Sequence, residues 1–366
     1  MVSTVAGTGS AGYTDGIGTE ASFDYPYACS FYQQDKFILV VTNTNIRKIE
    51  YSTWTVTTLA GGTIIAYADG VGSNARFNGA RGIAVTSDNS VAYVAEQSYH
   101  RIRLIDISTA TVTTIAGDGT AGGTNGVGTN ARFNGPWGLA LYPMDNSFLL
   151  ITNFNSHTVV KLDISTATVS SFAGVYGTSS SIDGTGSGAK FYRPVGISFY
   201  PTGSYAVVTD TLNRRIRKIT YPGAVVTTLA GSLATGTTDG TGIAATFMYT
   251  TGITIDVYGN YAVIADFDAM NLRKVVLSTA VVTTFAGIAG TIGSTDGTAN
   301  VATFNSPIGV CFSQYDNAAV VADYNNNNLR LIQGFEPTPT PTGIFIAFYL
   351  WTCFYFRSME LINQCN

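Results

Sequence analysis

Charge is scarce in this chain. Only 11% of its 366 residues are Asp, Glu, Lys or Arg, and the formal net charge is −4. So weak a balance offers no global field for nucleic acid or an anionic membrane, and no nucleic-acid partner is expected. Histidine is scarcer still, with two copies, and the four cysteines are scattered along the sequence. Neither number suits a histidine-rich metal centre, a close-spaced zinc site or a disulfide framework. Cys29 and Cys311 fall in predicted strands and read as buried free thiols. No stretch of useful length carries the i, i+3, i+4 apolar stripe of a helix. Serine-nucleophile and phosphate-loop motifs are missing, Asn-x-Ser/Thr acceptors are missing, and no cofactor is called for. The opening Met-Val-Ser-Thr-Val-Ala-Gly already lies inside a repeat, so no signal peptide is read there.

What is present is repetition. An apolar residue followed by Ala-Gly closes a short Thr/Val run six times, at Gly7, Gly61, Gly117, Gly174, Gly231 and Gly287. An Asp-Gly, once Asn-Gly, follows each, and a Phe comes eight residues after that acid or amide. These pairs are Asp15 and Phe23, Asp69 and Phe77, Asn125 and Phe133, Asp183 and Phe191, Asp239 and Phe247, Asp296 and Phe304. A fixed period of this size marks a repeat architecture.

Residues 80 to 117 show one unit: four short β-rich runs separated by turn residues such as Ser87-Asp88-Asn89-Ser90. Such a run of strands is an antiparallel meander, and six of them form a six-bladed β-propeller of four-stranded blades. The last copy supplies only three strands, while Val2 to Ala6 stands alone at the N-terminus. Pairing that orphan with Leu329 to Ile332 completes the sixth blade and closes the ring. The fold is therefore expected to be all-β, and the closed ring a monomer.

Residues 1 to 333 resemble the NHL repeat family. The best copy is Pro194-Val195-Gly196-Ile197, Val208-Thr209-Asp210 and Asn213-Arg214-Arg215-Ile216-Arg217-Lys218-Ile219. The first copy is three residues short between Asn43 and Arg47, and the third has Val160 where others have Arg. The resemblance implies a propeller that binds proteins, RNA or glycans. It also leaves a rival open, a metal-dependent lyase or hydrolase with its ion in the central channel.

A residue found in every blade serves the scaffold, whereas a ligand site occurs once. The acid or amide closing each second strand recurs as Asn43, Glu96, Asn153, Asp210, Asp266 and Asp323, with Arg103, Arg217, Arg273 and Arg330 seven residues on in four copies. These read as ion pairs within the blade. In the Asp-Gly loops, Asp reads as a turn residue bonding its own backbone and Phe as a plug between blades. Calcium at those loops is disfavoured, because each lacks a second and third carboxylate. His100 and His157 occupy equivalent loop positions and read as ordinary loop residues.

The middle residue of each Pro-x-Gly is placed on the upper inner rim: Tyr27, Arg81, Trp137, Val195, Thr251 and Ile308. Their chemistry varies where their surroundings do not, as expected of a ligand-facing ring. Arg81 beside Trp137 is the pair best suited to a peptide or a sugar. The expected function is thus a non-enzymatic binding module presenting this face to a protein or glycan.

Residues 334–342 read as a Pro/Thr-rich spacer and 343–366 as an apolar, aromatic-rich tail. The apolar part of that tail would span about 21 Å as a helix, short of the ~30 Å of a bilayer core. It reads as an anchor touching a membrane or a truncated segment, which favours a cell-surface or membrane-tethered placement.

Overall fold

In the computed structural model, residues 1–334 are described except 33, 35 and 314–316. Met1–Gly334 form one compact unit. The spacer from Phe335 and the apolar tail, with Cys353 and Cys365, lie outside the described residues.

Six antiparallel sheets follow one another around a central axis. Blade 2 is representative, with strands Ala80–Val85, Val91–Glu96, Arg101–Asp106 and Thr111–Ala116 running from the axis outward. Blade 6 is assembled from both ends of the sequence: Pro307–Phe312, Ala319–Asp323 and Asn328–Ile332 are completed by Val2–Ala6. Val2 pairs with Ile332 and Thr4 with Arg330, as the orphan strand predicts. Five blades carry one element that the repeat pattern did not announce. A two-residue strand in the Asp-Gly loop, Gly70–Val71 in blade 2, adds a fifth strand to the outer edge. The chain thus leaves the outer strand of one blade, clips onto the outside of the next, and only then runs inward. The loop turns after that clip at Gly72, whose φ of +53° is a left-handed value that favours glycine.

The core lies between blades. Phe77 is fully buried among Leu39, Val41 and Ile46 of blade 1 and Val94, Ile105 and Val112 of blade 2. Phe23, Phe133, Phe191, Phe247 and Phe304 are likewise buried to 0% exposure, so the repeated Phe is an inter-blade plug as expected. Each such side chain stabilises the fold by about 1.5–3 kcal/mol relative to exposure.

The Asp of the Asp-Gly loop has a different job from the one its sequence suggested. It does not bond its own turn. Asp183 pairs with Arg217 at 2.6 Å and accepts hydrogen bonds from the Thr228 backbone N–H and hydroxyl, both at 3.0 Å. Arg217 is fully buried, and reaches Asp210 at 2.6 Å and the carbonyls of Lys190 and Ile182. One guanidinium therefore ties the second strand, the incoming loop and the Phe segment together. The same knot forms around Arg103, Arg273 and Arg330, although Arg273 stands 3.9 Å from Asp266. A fifth, without the second-strand arm, appears around Arg47, which the seven-residue spacing missed because its loop is three residues shorter.

A second correction concerns the thiols. Cys29 and Cys311 are not free: they form a disulfide between the inner strands of blades 1 and 6. Their separation of 282 residues hides a Cα–Cα distance of 5.7 Å that only ring closure creates.

Candidate functional site

Close approach of the inner strands fixes the rim. A Cβ on Gly82 would strike the carbonyl of Trp137, and one on Gly138 the carbonyl of Val195. The glycine of this position is thus required by the neighbouring blade in blades 2 to 6, while blade 1 carries Ala28 there. Side-chain hydroxyls stitch the same seam: Thr152 donates to the Val195 carbonyl at 2.6 Å and Thr209 to that of Thr251 at 2.7 Å.

The six rim residues do not share one environment. Tyr27, Arg81 and Trp137 are half-buried and face the mouth, whereas Val195 and Thr251 are 1% exposed and Ile308 5%. Thr251 donates its hydroxyl to the Ile308 carbonyl at 2.9 Å and to that of Ala265. Five of the six line a narrow channel of ≈ 90 Å³, and Thr251 lines a separate lobe.

Arg81 is the centre of the exposed group. Its guanidinium carbon lies 3.7 Å from the Tyr27 ring centroid and 5.5 Å from that of Trp137. Nε donates to Gln97 at 3.1 Å, and Nη1 to Asn43 and the Ala80 carbonyl at 3.3 Å. Among the described residues it has no carboxylate partner, unlike the five scaffold arginines. Burial pushes its pKa down and that of Tyr27 up. A half-buried, uncompensated guanidinium between two rings is poised to accept a polar or anionic group.

An arc of aromatic rings extends the mouth on both sides. Trp137 packs on Phe154 at 5.1 Å, and Arg193 lies 5.0 Å from the Phe154 centroid. In the other direction Tyr27 meets Tyr324 at 5.0 Å, Tyr324 meets Phe267 at 5.8 Å, and Phe267 meets Tyr249 at 6.0 Å. Below this arc sits the off-axis lobe of ≈ 240 Å³, whose single charged lining residue is Asp268. The lower mouth of the propeller, ≈ 330 Å³, is lined by Phe31, Val85, Leu141, Phe199 and the cystine and carries no charged side chain. Charge and aromatic surface meet at the upper mouth.

Phe154, Phe267 and Tyr324 were missed by looking only at Pro-x-Gly. Each follows the acid or amide closing the second strand, a position that reads Thr44, Gln97, Phe154, Thr211, Phe267 and Tyr324. That second variable ring was present in the sequence and points to the same face.

His100 and His157 bridge blades. Their Nδ1 atoms accept hydrogen bonds from the backbone of Gly135 at 3.1 Å and Arg193 at 3.2 Å. In blade 6, Asn327 does the same for Tyr25 at 3.0 Å. Burial lowers the pKa of both histidines, with Arg101 and Arg193 adding repulsion, which suits a neutral acceptor. Among the described residues, no group of three or more His, Cys, Asp or Glu could hold a metal ion. The Arg214-Arg215-Arg217-Lys218 run divides as alternation dictates: Arg217 is buried, Arg215 bonds Ser181 at 2.6 Å, and Lys218 lies 4.0 Å from the Tyr205 centroid.

Blade 3 lacks the central arginine. Val160 stands in its place, and both carboxylates are replaced by Asn125 and Asn153. A cavity of ≈ 40 Å³ remains there, and the buried Oδ1 of Asn153 has no hydrogen-bond partner.

No family model matches the chain. NHL repeat-containing protein 2 of Homo sapiens is 26% identical over 292 residues, 72% of this chain and 40% of that protein. Protein SUPPRESSOR OF QUENCHING 1, chloroplastic, of Arabidopsis thaliana is 28% identical over 280 residues, 73% of this chain and 26% of that protein. The chain thus spans well under half the length of the curated relatives it matches. Among solved structures, an auxiliary nutrient binding protein from Bacteroides ovatus superposes with a TM-score of 0.69 at 15% identity, over 92% of this chain and 76% of that one. A gluconolactonase from Xanthomonas campestris superposes with a TM-score of 0.57 at 12% identity, over 84% of this chain and 85% of that one. At such identities both share the fold alone.

Proposed function

The chain being an NHL-repeat, six-bladed β-propeller, we propose that it is a non-enzymatic binding module whose upper mouth takes a protein or glycan ligand. The observation that carries this reading is Arg81, held between Tyr27 and Trp137 without a carboxylate partner among the described residues. The fully buried arginines, by contrast, are all spent on the scaffold. Two structural neighbours from Bacteroides are named auxiliary nutrient binding proteins, which fits a binding role for this architecture. Tyr27, Arg81 and Trp137 make the contact, and Val195, Thr251 and Ile308 hold the rim behind them.

The rival enzyme reading gains no support from the residue set. The channel is lined by apolar side chains, glycines, Tyr27, Trp137 and one arginine, with no carboxylate or histidine. Screening the full chain on glycan and peptide arrays tests the proposal. Bound ligands should be lost or weakened about tenfold by Arg81→Ala and Trp137→Ala, the range for interface anchors. Ligands that ignore both substitutions remove the upper mouth as the site.

A further inference from the structure

We propose that the off-axis lobe of the upper mouth is a site for a compact organic cation, a quaternary ammonium group, seated among Tyr27, Trp137, Tyr249, Phe267 and Tyr324 against the carboxylate of Asp268. The inference rests on the upper-face reading and names the chemistry of one part of that face.

The lobe has ≈ 240 Å³, below the ~300 Å³ at which drug-sized ligand pockets begin. It therefore takes a group rather than a large molecule. Five aromatic residues line it, and aromatic faces attract cations through their quadrupoles. Asp268 is its one charged lining residue, and among the described residues it makes no hydrogen bond or ion pair. Partial burial raises its carboxyl from the ordinary value. Asp268 is exposed at the edge of the lobe, and with no scaffold cation holding it, its charge is free to attract a cation seated beside it.

Other ligand classes fit less well. A sugar carries many hydroxyls that need partners, and three of the lobe's hydroxyls are already committed. Tyr27 and Tyr324 bond each other through their hydroxyls at 3.1 Å, and the Thr251 hydroxyl is spent on two carbonyls. A methyl-covered ammonium demands no hydrogen bond. An anion would meet Asp268 directly. The nearby cations lie outside the lobe's lining: Arg81 stacks on Tyr27 and Trp137 toward the channel, and Arg193 packs on Phe154 and reaches Tyr249 only through its field.

The test is titration of the full chain with choline and with 3,3-dimethyl-1-butanol, its neutral isostere, followed by calorimetry. Choline should bind, and the isostere should bind roughly tenfold more weakly. Asp268→Asn should weaken choline by about tenfold, and Phe267→Ala should weaken it further while leaving the melting temperature within a few degrees of wild type. Choline affinity should fall on acidification as Asp268 gains its proton. Equal binding of the two isosteres, indifference to Asp268→Asn, or no choline binding each overturns the proposal. The two readings fail separately: an array ligand lost on Arg81→Ala together with no choline binding would sink the cation lobe and leave the binding module standing, whereas choline binding with array ligands indifferent to Arg81→Ala and Trp137→Ala would remove the broader reading.

Discussion

Cys29 and Cys311, 282 residues apart, are joined across the seam between blades 1 and 6. The outer edge of the last blade is closed by Val2–Ala6, so the ring is fastened twice, by a strand on the outside and a covalent bond near the axis. A crosslink over so long a loop restricts the unfolded chain strongly, and its loss typically costs about 2–5 kcal/mol. Denaturant unfolding with and without a thiol reductant should show a loss of this size. The Cys29→Ser/Cys311→Ser variant should match the reduced protein and be insensitive to reductant. Identical midpoints in all states would contradict the covalent closure.

Blade 3 supplies a natural control for the arginine knot. Arg217 and Asp210 are both fully buried and stand 2.6 Å apart, and burial pushes Asp210 up to about 6 against the pull of Arg217. Removing one partner of such a pair leaves a buried charge uncompensated and costs about 3–5 kcal/mol. Arg217→Val should therefore destabilise severely. Arg217→Val/Asp183→Asn/Asp210→Asn copies the residues of blade 3 and should recover most of that loss in thermal unfolding. A triple variant no more stable than the single one would mean that the charges are not the issue.

The two histidines predict a pH effect with a definite sign. Their folded pKa values lie below the ordinary ~6.5, so the folded protein binds fewer protons than the unfolded chain. The stability they contribute is complete above pH 6.5 and is lost as pH falls through their depressed values. His157→Asn copies the left-handed Asn327 of blade 6, φ +50°, and should leave stability at pH 7.5 nearly unchanged. Between pH 7.5 and 5.5 the variant should lose less stability than wild type. The buried aspartates titrate in both proteins and cancel in that difference. Parallel curves would show that His157 is not linked to folding.

The five loop aspartates are committed to arginine, and among the described residues no loop gathers three carboxylates into a possible metal site. Calcium, zinc or magnesium added after chelation should accordingly leave the melting temperature of the full chain unchanged. A metal-dependent rise would restore the enzyme or calcium reading, since a ligand that binds only the folded state raises the midpoint.

Blade number, closure and the Phe plugs were legible because each repeats, and repetition exposes what every blade needs. The disulfide was not legible, since Cys29 and Cys311 become neighbours only when the ring closes. The partner of Asp183 was misread for a related reason: Arg217 and Thr228 lie 34 and 45 residues away, on strands whose register the sequence does not print. At the mouth, Arg81 and Trp137 were singled out by their variability within a fixed frame. Phe267 and Asp268 were passed over, although the position after each strand-closing acid varies just as much.

The central claim is that the upper mouth binds through Arg81 between Tyr27 and Trp137. It is tested most directly by array-identified ligands titrated against wild type, Arg81→Ala, Trp137→Ala and a lower-mouth control, Leu141→Ala. The account predicts that the first two variants lose about tenfold or more in affinity and that the control keeps wild-type binding. Affinity that survives at Arg81 and Trp137 but falls on Leu141→Ala would place the ligand on the opposite face and contradict it.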